Sequence, residues 1–280
     1  MTERIHKALA RAGLGSRREI EAWIIEGRVI VNERPAVLGQ QLTSNCRVVV
    51  DGEHVRLARQ SAAAGQVLLY HKPIGEICSR SDPQGRPNVF DSLPRLRGKR
   101  WVSVGRLDIN TSGLMIFTTD GELANRLMHP SSEMEREYRC RVRGNVSSEA
   151  LSQLLKGVKL DGHLCRFESV IGKPGTGANC WFRVVIKEGR YREVRRMWQS
   201  IGCSVNRLIR VRYGPFSLDH RHQPGESVEL GEDLKKLLIR SIGRKPTLQA
   251  EKKTGQPKRL RASSKGRTRI TKNRRQKPRV

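Results

Sequence analysis

The run from Trp101 to Thr118 constrains the fold more than any other stretch. Trp101-Val102-Ser103-Val104 leans apolar and Leu114-Met115-Ile116-Phe117-Thr118 reads as a strand. Between them, Gly105-Arg106-Leu107-Asp108-Ile109-Asn110-Thr111-Ser112-Gly113 carries two glycines and an Asn-Thr-Ser cluster. Gly, Asn and Ser form turns, so the pattern predicts two strands joined by a tight loop. Loops held on a rigid sheet are where chemistry concentrates. Asp108 is the only carboxylate in this loop, with Arg106 two residues before it. A guanidinium held close keeps a carboxylate ionised and fixes its direction. Such a carboxylate can serve as a nucleophile or a base. The residues alone also allow Asp108 to be an Asx-turn that only caps the backbone.

The charge narrows the partners. The net charge is +28, and from Arg244 to Val280 there are 15 Lys and Arg against Glu251 alone, which is +14. The other +14 lies on residues 1–243, so the expected folded body is basic as well. A polyanion is the expected partner, and nucleic acid fits best. No apolar run is long enough to span a bilayer. Met1 to Lys7 is charged and lacks the apolar segment of a signal peptide. The expected location is the cytoplasm. The six cysteines include no C-x-x-C pair, and the histidines form no ligand cluster, His163-x-Cys165 being the nearest approach. No metal site is expected, and the thiols are expected to be reduced.

Ile5, Leu9 and Ala12, with Ala8 beside them, share one helical face, and Arg4, Lys7 and Arg11 share another. Ser16 and Glu19 have the spacing of a capping box ahead of Ile20, Trp23 and Ile24, and Gly27 can stop that helix. Two short strands follow, Val29–Val31 and Val48–Val50, the latter leading into an Asp51-Gly52 turn. Two helices feeding a small sheet, with Arg17, Arg18 and Arg28 near the connections, resemble an S4 RNA-binding domain over residues 1–60. Read as a resemblance, this makes Arg4, Lys7, Arg11, Arg17, Arg18 and Arg28 RNA-binding candidates; a small helical dimerisation module is the other reading. Residues 58–66 lack β-branched and aromatic side chains, and we take 61–66 as a linker.

A new domain is expected from the strand-like Val67–Tyr70 onward, with Lys72-Pro73-Ile74-Gly75 as a turn and Arg80 to Pro94 as a loop. Asp120 can cap a short helix carrying Leu123 and Leu127, and Glu135–Val142 alternates like a strand with Tyr138, Cys140 and Val142 on one face. Ser147 to Gly157 reads as a capped helix with Leu151, Leu154 and Leu155 toward the core. After a strand at Trp181–Ile186 comes a helix with Val194, Met197, Trp198 and Ile201 on its apolar stripe. Its other face repeats Arg192, Arg195, Arg196 and Gln199. Val205 to Tyr213 reads as a basic strand and Glu232 to Ile242 as a closing helix. From Arg244 the chain has too few hydrophobic residues to bury a core and is expected to be disordered.

The sequence Gly-Arg-Leu-Asp-x-Asn-Thr-x-Gly-Leu closely resembles the catalytic motif of pseudouridine synthases of the RsuA/RluB branch. Lys72-Pro73-x-Gly75 resembles the family's opening motif, and Glu188-Gly189-x-x-x-x-Val194-Arg195-Arg196-Met197 resembles a later one. Residues 82–87 and 123–136 resemble the branch acting on the large-subunit RNA. The resemblance implies an α+β chain: an S4-like domain, then a catalytic domain over 67–243 with a mostly antiparallel mixed sheet and a central cleft, then the basic tail 244–280. It implies isomerisation of a uridine in ribosomal RNA, in 23S RNA or a large-subunit precursor, by a monomer without cofactor. Asp108 would be the catalytic carboxylate, Arg106 and Arg195 its positive partners and Tyr138 the aromatic residue against the base. Leu208 would pack beside the uracil, with Asn110, Thr111 and Lys72 also at the substrate, and Arg192 and Arg196 would bind RNA. Three other readings stay open: a synthase acting on small-subunit or transfer RNA, a non-catalytic ribosome-assembly factor, and a nucleic-acid glycosidase. A glycosidase normally needs a second carboxylate, and the loop offers only Asp108.

Overall fold

The computed structural model describes residues 2–43, 46–57, 65–96, 98–173, 175 and 179–242. The expected linker, apart from Gly65 and Gln66, and the basic tail lie outside the described residues.

The first helix, α1 (Ile5–Arg11), buries Ile5, Ala8 and Leu9. The second, α2 (Arg17–Ile25), starts on the expected capping box: Ser16 Oγ accepts from the Glu19 N–H and the Glu19 carboxylate accepts from the Ser16 N–H. These two interactions satisfy donors that the first turn cannot pair internally. Ile20 and Ile24 of α2 pack with α1 against a small sheet in which Val29–Val31 pairs with Val48–Val50. Asp51 (φ 50°) and Gly52 (φ 83°) form the turn into Glu53–Val55. Two positive φ values in succession are what a tight right-twisted hairpin needs.

The larger sheet has, among the described residues, nine strands. Its main order is Ser169–Ile171, Cys180–Ile186, Arg136–Arg143, Ser204–Tyr213, Thr111–Thr118, Val67–Lys72 and Ser227–Glu229. Val102–Val104 also pairs with Thr111–Thr118, and Phe216–Ser217 with Ser204–Tyr213. Every one of these pairings is antiparallel except that of Ser204–Tyr213 with Thr111–Thr118. Gly113 lets those two strands approach. Its φ is 118°, and a Cβ there would lie 2.2 Å from the Arg210 carbonyl oxygen. Only glycine accepts both the angle and the approach.

All eight residues of Thr111–Thr118 are buried, so this strand reads as one continuous run rather than an alternation. Met115 and Phe117 enter one hydrophobic cluster, and Leu114 and Ile116 enter the other. The first cluster is covered by α4 (Ser148–Lys156) through Leu154 and by α5 (Glu193–Ser200) through Val194, Met197 and Trp198. The second is covered by α3 (Gly121–Met128), capped by Asp120 as expected, and by α6 (Glu232–Ser241). One expectation about the helices is corrected. Leu155 is exposed, because the core face of α4 is set by Leu154, with Leu151 half-buried. The Val-Phe-Asp stretch of the 80–94 loop forms the turn its residues suggest, a 3₁₀ turn at Val89–Ser92 capped by Asn88.

Candidate active site

The expected strand–loop–strand is present, with Val102–Val104 and Thr111–Thr118 paired and Gly105 to Asn110 between them. The observed strand begins at Thr111 rather than Leu114. Gly105 takes φ 78° to turn the chain into the loop. The loop is closed by a Thr111 N–H to Asp108 C=O bond of 3.0 Å and tied to the Pro73 turn by Gly75 N–H to Ile109 C=O at 2.9 Å.

Side chains beneath it hold it further. Lys72 is fully buried and its ammonium donates to the carbonyls of Pro73 (2.8 Å) and Thr111 (3.0 Å). Burial pushes its pKa down, and the negative character of Cys78, Glu76 and Asp108 opposes that shift. The Cys78 thiol donates to the Leu107 carbonyl (3.2 Å) while the Leu107 N–H donates to Cys78 Sγ (3.4 Å). Arg195 donates to the Asn110 carbonyl (2.9 Å) and the Val205 carbonyl (2.6 Å), and lies 3.5 Å from Thr111 Oγ1. Burial lowers the Arg195 pKa, as does neighbouring Arg192, while Asp108 acts in the opposite sense.

Asp108 opens into a cleft of about 1240 Å³, also lined by Arg106, Thr111, Tyr138, Arg192 and Leu208. Tyr138 and Leu208, 7% and 4% exposed, bring largely buried apolar groups to its lining. They come from adjacent strands: Cys140 pairs with Leu208, and Leu208 pairs with Thr111 on the other side. The register therefore sets a carboxylate loop, an aromatic ring and a leucine side by side. This combination suits an extruded base, with stacking on one side and a fixed anion at its sugar.

Residues 66–200 match the family model described as RNA pseudouridylate synthase, and residues 3–48 match the S4 domain. The ribosomal large subunit pseudouridine synthase B of Vibrio cholerae is 55% identical over 238 residues, covering 85% of this chain and 74% of that protein. The chain belongs to this family. The Pseudomonas aeruginosa protein of the same name is 51% identical over 87% of this chain, and the chain spans 64% of that relative's length. A solved pseudouridylate synthase superposes with a TM-score of 0.58 at 25% identity, covering 84% of this chain and 99% of the other.

Set against the residues expected from the motifs, the structure redistributes the cations. Arg106 is exposed and makes no ion pair with Asp108 among the described residues. The guanidinium within reach is that of Arg192, at 3.6 Å. Arg195 spends its hydrogen bonds on backbone carbonyls of the loop (Asn110) and of the neighbouring strand (Val205), and Lys72 and Asn110 do not line the cleft. Arg195 and Lys72 act from behind the loop, whereas Asn110 is an exposed residue of the loop whose carbonyl Arg195 holds.

Among the expected RNA contacts, Arg4, Arg17 and Arg18 are exposed and without an ion pair among the described residues. Lys7 pairs with Glu122, and Arg11 donates to Glu3 at 2.8 Å. Arg28 holds Asp51 through two bonds of 2.7 Å, and Arg196 holds Asp161 at 2.8 and 2.6 Å.

Sequence reasoning misses Arg136 and Arg210, which are 9% and 2% exposed and line the cleft. Strand alternation could have found Arg136, since it shares the inward face of Tyr138 and Cys140. Cys165, Glu188 and Glu193 also gather within 4.8 Å of one another. Glu188 is taken by Arg190 (2.7 Å) and Glu193 accepts the Arg190 N–H (2.9 Å), so the cluster belongs to the turn that enters α5.

Proposed function

We propose that this chain converts a uridine of ribosomal RNA, in the large subunit, to pseudouridine. The observation that carries the reading is the convergence of Asp108, Tyr138 and Leu208 in one cleft. The reaction breaks the N1–C1′ bond, turns the uracil and forms a C5–C1′ bond; a proton leaves C5 and one arrives at N1, so no cofactor is consumed. The target base must leave its stack, which costs a few kcal/mol. Stacking on Tyr138 and packing beside Leu208 offset that cost and keep the detached uracil in a dry site. Asp108 supplies the anion, as nucleophile at C1′ or as base at the sugar. Arg192 orients its carboxylate, and Arg195, Lys72 and Cys78 hold the loop that carries it.

In this reading residues 1–60 form a separate RNA-binding domain joined by a linker at 61–66, and residues 67–243 form the catalytic domain. The exposed Arg4, Arg17 and Arg18 meet phosphates, and the basic tail adds sequence-independent attraction. On the same reading the protein works as a monomer in the cytoplasm, where its ribosomal RNA substrate is; no described helix is long and apolar enough to cross a membrane. The names of the 51–55% identical relatives support the large subunit over the small. A pseudouridine map of ribosomal RNA from cells with and without the gene tests this. One large-subunit uridine should lose its modification, and an unchanged map would overturn the reading.

A further inference from the structure

Tyr191 is 75% exposed, the most exposed of the large hydrophobic side chains among the described residues, yet it stands on one of the most constrained turns in the chain. It lies in the connection from Cys180–Ile186 to α5, between Arg190 and Arg192, and lines the cleft. The buried Arg136 guanidinium donates to the carbonyls of Met134 (3.0 Å), Lys187 (2.5 Å) and Glu188 (3.0 Å). The Arg190 N–H donates to Glu193, which is only 3% exposed. Arg192 then takes φ 48°, a left-handed conformation unusual for a side-chain-bearing residue. Buried polar groups and a strained residue thus fix a turn whose central aromatic ring is left in solvent. Strain of this kind persists only where the surroundings enforce it.

The same cleft shows a second exposed apolar side chain, Leu164, 59% exposed. It sits in the hairpin of Val158–Leu160 and His163–Cys165, whose turn residue Asp161 is clamped by Arg196. The volume of about 1240 Å³ exceeds the roughly 300–1,000 Å³ of a small-molecule site. The cleft therefore has space for more than the target nucleotide. Its lining holds seven Lys and Arg side chains against five Asp and Glu. Arg190 and Arg192 are engaged by Glu188 and Asp108, Arg106 makes no ion pair among the described residues, and the body of the chain is basic. An apolar ring among cations selects an unpaired base with its phosphate over an apolar peptide.

We propose that Tyr191 is a stacking platform for an unpaired base adjoining the target uridine, so that the enzyme reads RNA in which a neighbour is extruded together with the target. This rests on the RNA-modifying reading of the cleft. The ring faces solvent before RNA arrives, so its removal leaves no cavity.

The test uses the full chain and a synthetic large-subunit RNA fragment containing the uridine mapped above. Affinity and single-turnover rate are measured for the wild type, Tyr191→Ala and Tyr191→Phe. Each is repeated on fragments made abasic at the nucleotide 5′ or 3′ of the target. Tyr191→Ala should weaken binding roughly 5- to 150-fold, the range for loss of one stacked base. The loss should fall on KM far more than on kcat, and Tyr191→Phe should restore most of it. One abasic neighbour should weaken wild-type binding by a similar factor and leave Tyr191→Ala binding unchanged within about twofold. Wild-type-like binding by Tyr191→Ala, or equal losses from both abasic RNAs in wild type and variant, would overturn the platform. A wild type that binds the fragment but forms no pseudouridine would overturn the function itself, a different outcome.

Discussion

Arg192 brings its guanidinium to 3.6 Å from the Asp108 carboxylate while its own backbone sits at φ 48°. The two residues are far apart in the chain, and the turn into α5 joins them. A helical φ at Arg192 would aim the side chain elsewhere, so the strain and the ion pair are two aspects of one arrangement.

Replacing Arg192 by glycine separates them. The left-handed angle costs a side-chain-bearing residue about 1–2 kcal/mol. An ion pair whose side chains are 38% and 32% exposed contributes about 0.2–1 kcal/mol. Relief of the strain matches or exceeds the lost ion pair, so Arg192→Gly should leave the unfolding free energy unchanged or raise it by up to about 1.8 kcal/mol. Its kcat/KM should still fall on the order of tenfold through loss of a charge-assisted orientation. Urea titration and single-turnover kinetics on one preparation check both; unaltered turnover would show that Arg192 does not orient the carboxylate.

Tyr138 is expected to act through its ring. Tyr138→Phe keeps the stacking face and should retain much more activity than Tyr138→Ala. The alanine variant should also lose about 3–5 kcal/mol of stability, because the ring is 7% exposed and packed in the main core. Equally severe losses of activity in both variants, with Tyr138→Phe fully folded, would assign the hydroxyl a proton-transfer role instead.

Much of this is legible in the residues themselves. The Ser16–Glu19 box, the Asp51-Gly52 turn and the Asp120 cap are local chemistry, and all three form as their spacing predicts. The loop around Asp108 is legible because its glycines and Asn-Thr-Ser cluster allow little else. Which arginine meets Asp108 is not, since nearness along the chain favours Arg106 whereas the turn at Arg192 depends on buried groups from another strand. Lys72 reads as a substrate contact in its motif; its burial follows from the pairing of Val67–Lys72 with Thr111–Thr118, which periodicity does not reveal. Leu155 reads as a core residue because a three-leucine helix allows a face broader than the one the sheet covers.

Glu193 gives a pH prediction. Burial pushes its carboxyl pKa up, helped by Glu188, while the Arg190 N–H and the charges of Arg190 and Arg136 oppose that rise. Above the unfolded value of 4.5 the folded state then holds its proton longer than the unfolded chain. Stability from this group therefore falls as pH rises through the folded pKa. Glu193→Gln keeps an acceptor for the Arg190 N–H without the buried charge. It should be more stable than wild type at about pH 8, with the gap closing toward about pH 4. A gap independent of pH would show that burial of the charge is not the cause.

The tail from Arg244 to Val280 carries half of the net charge, +14 of +28, and no aromatic residue. It should meet phosphates, which contribute affinity rather than sequence choice. Deleting it should weaken RNA binding at low salt and flatten the slope of log K against log salt by about 0.7 for each single-strand phosphate that the tail neutralises. The modified uridine should be the same. A binding series from low to high salt, followed by site mapping, checks this; a shifted site would give the tail a part in recognition.

The most direct measurement is pseudouridine formation by Asp108→Asn on the same large-subunit RNA fragment, read by mass spectrometry beside RNA affinity. The amide preserves the shape of the side chain and removes the anion. If Asp108 is the catalytic carboxylate, no pseudouridine forms and binding stays within a few-fold of wild type. Turnover near the wild-type rate would contradict that role.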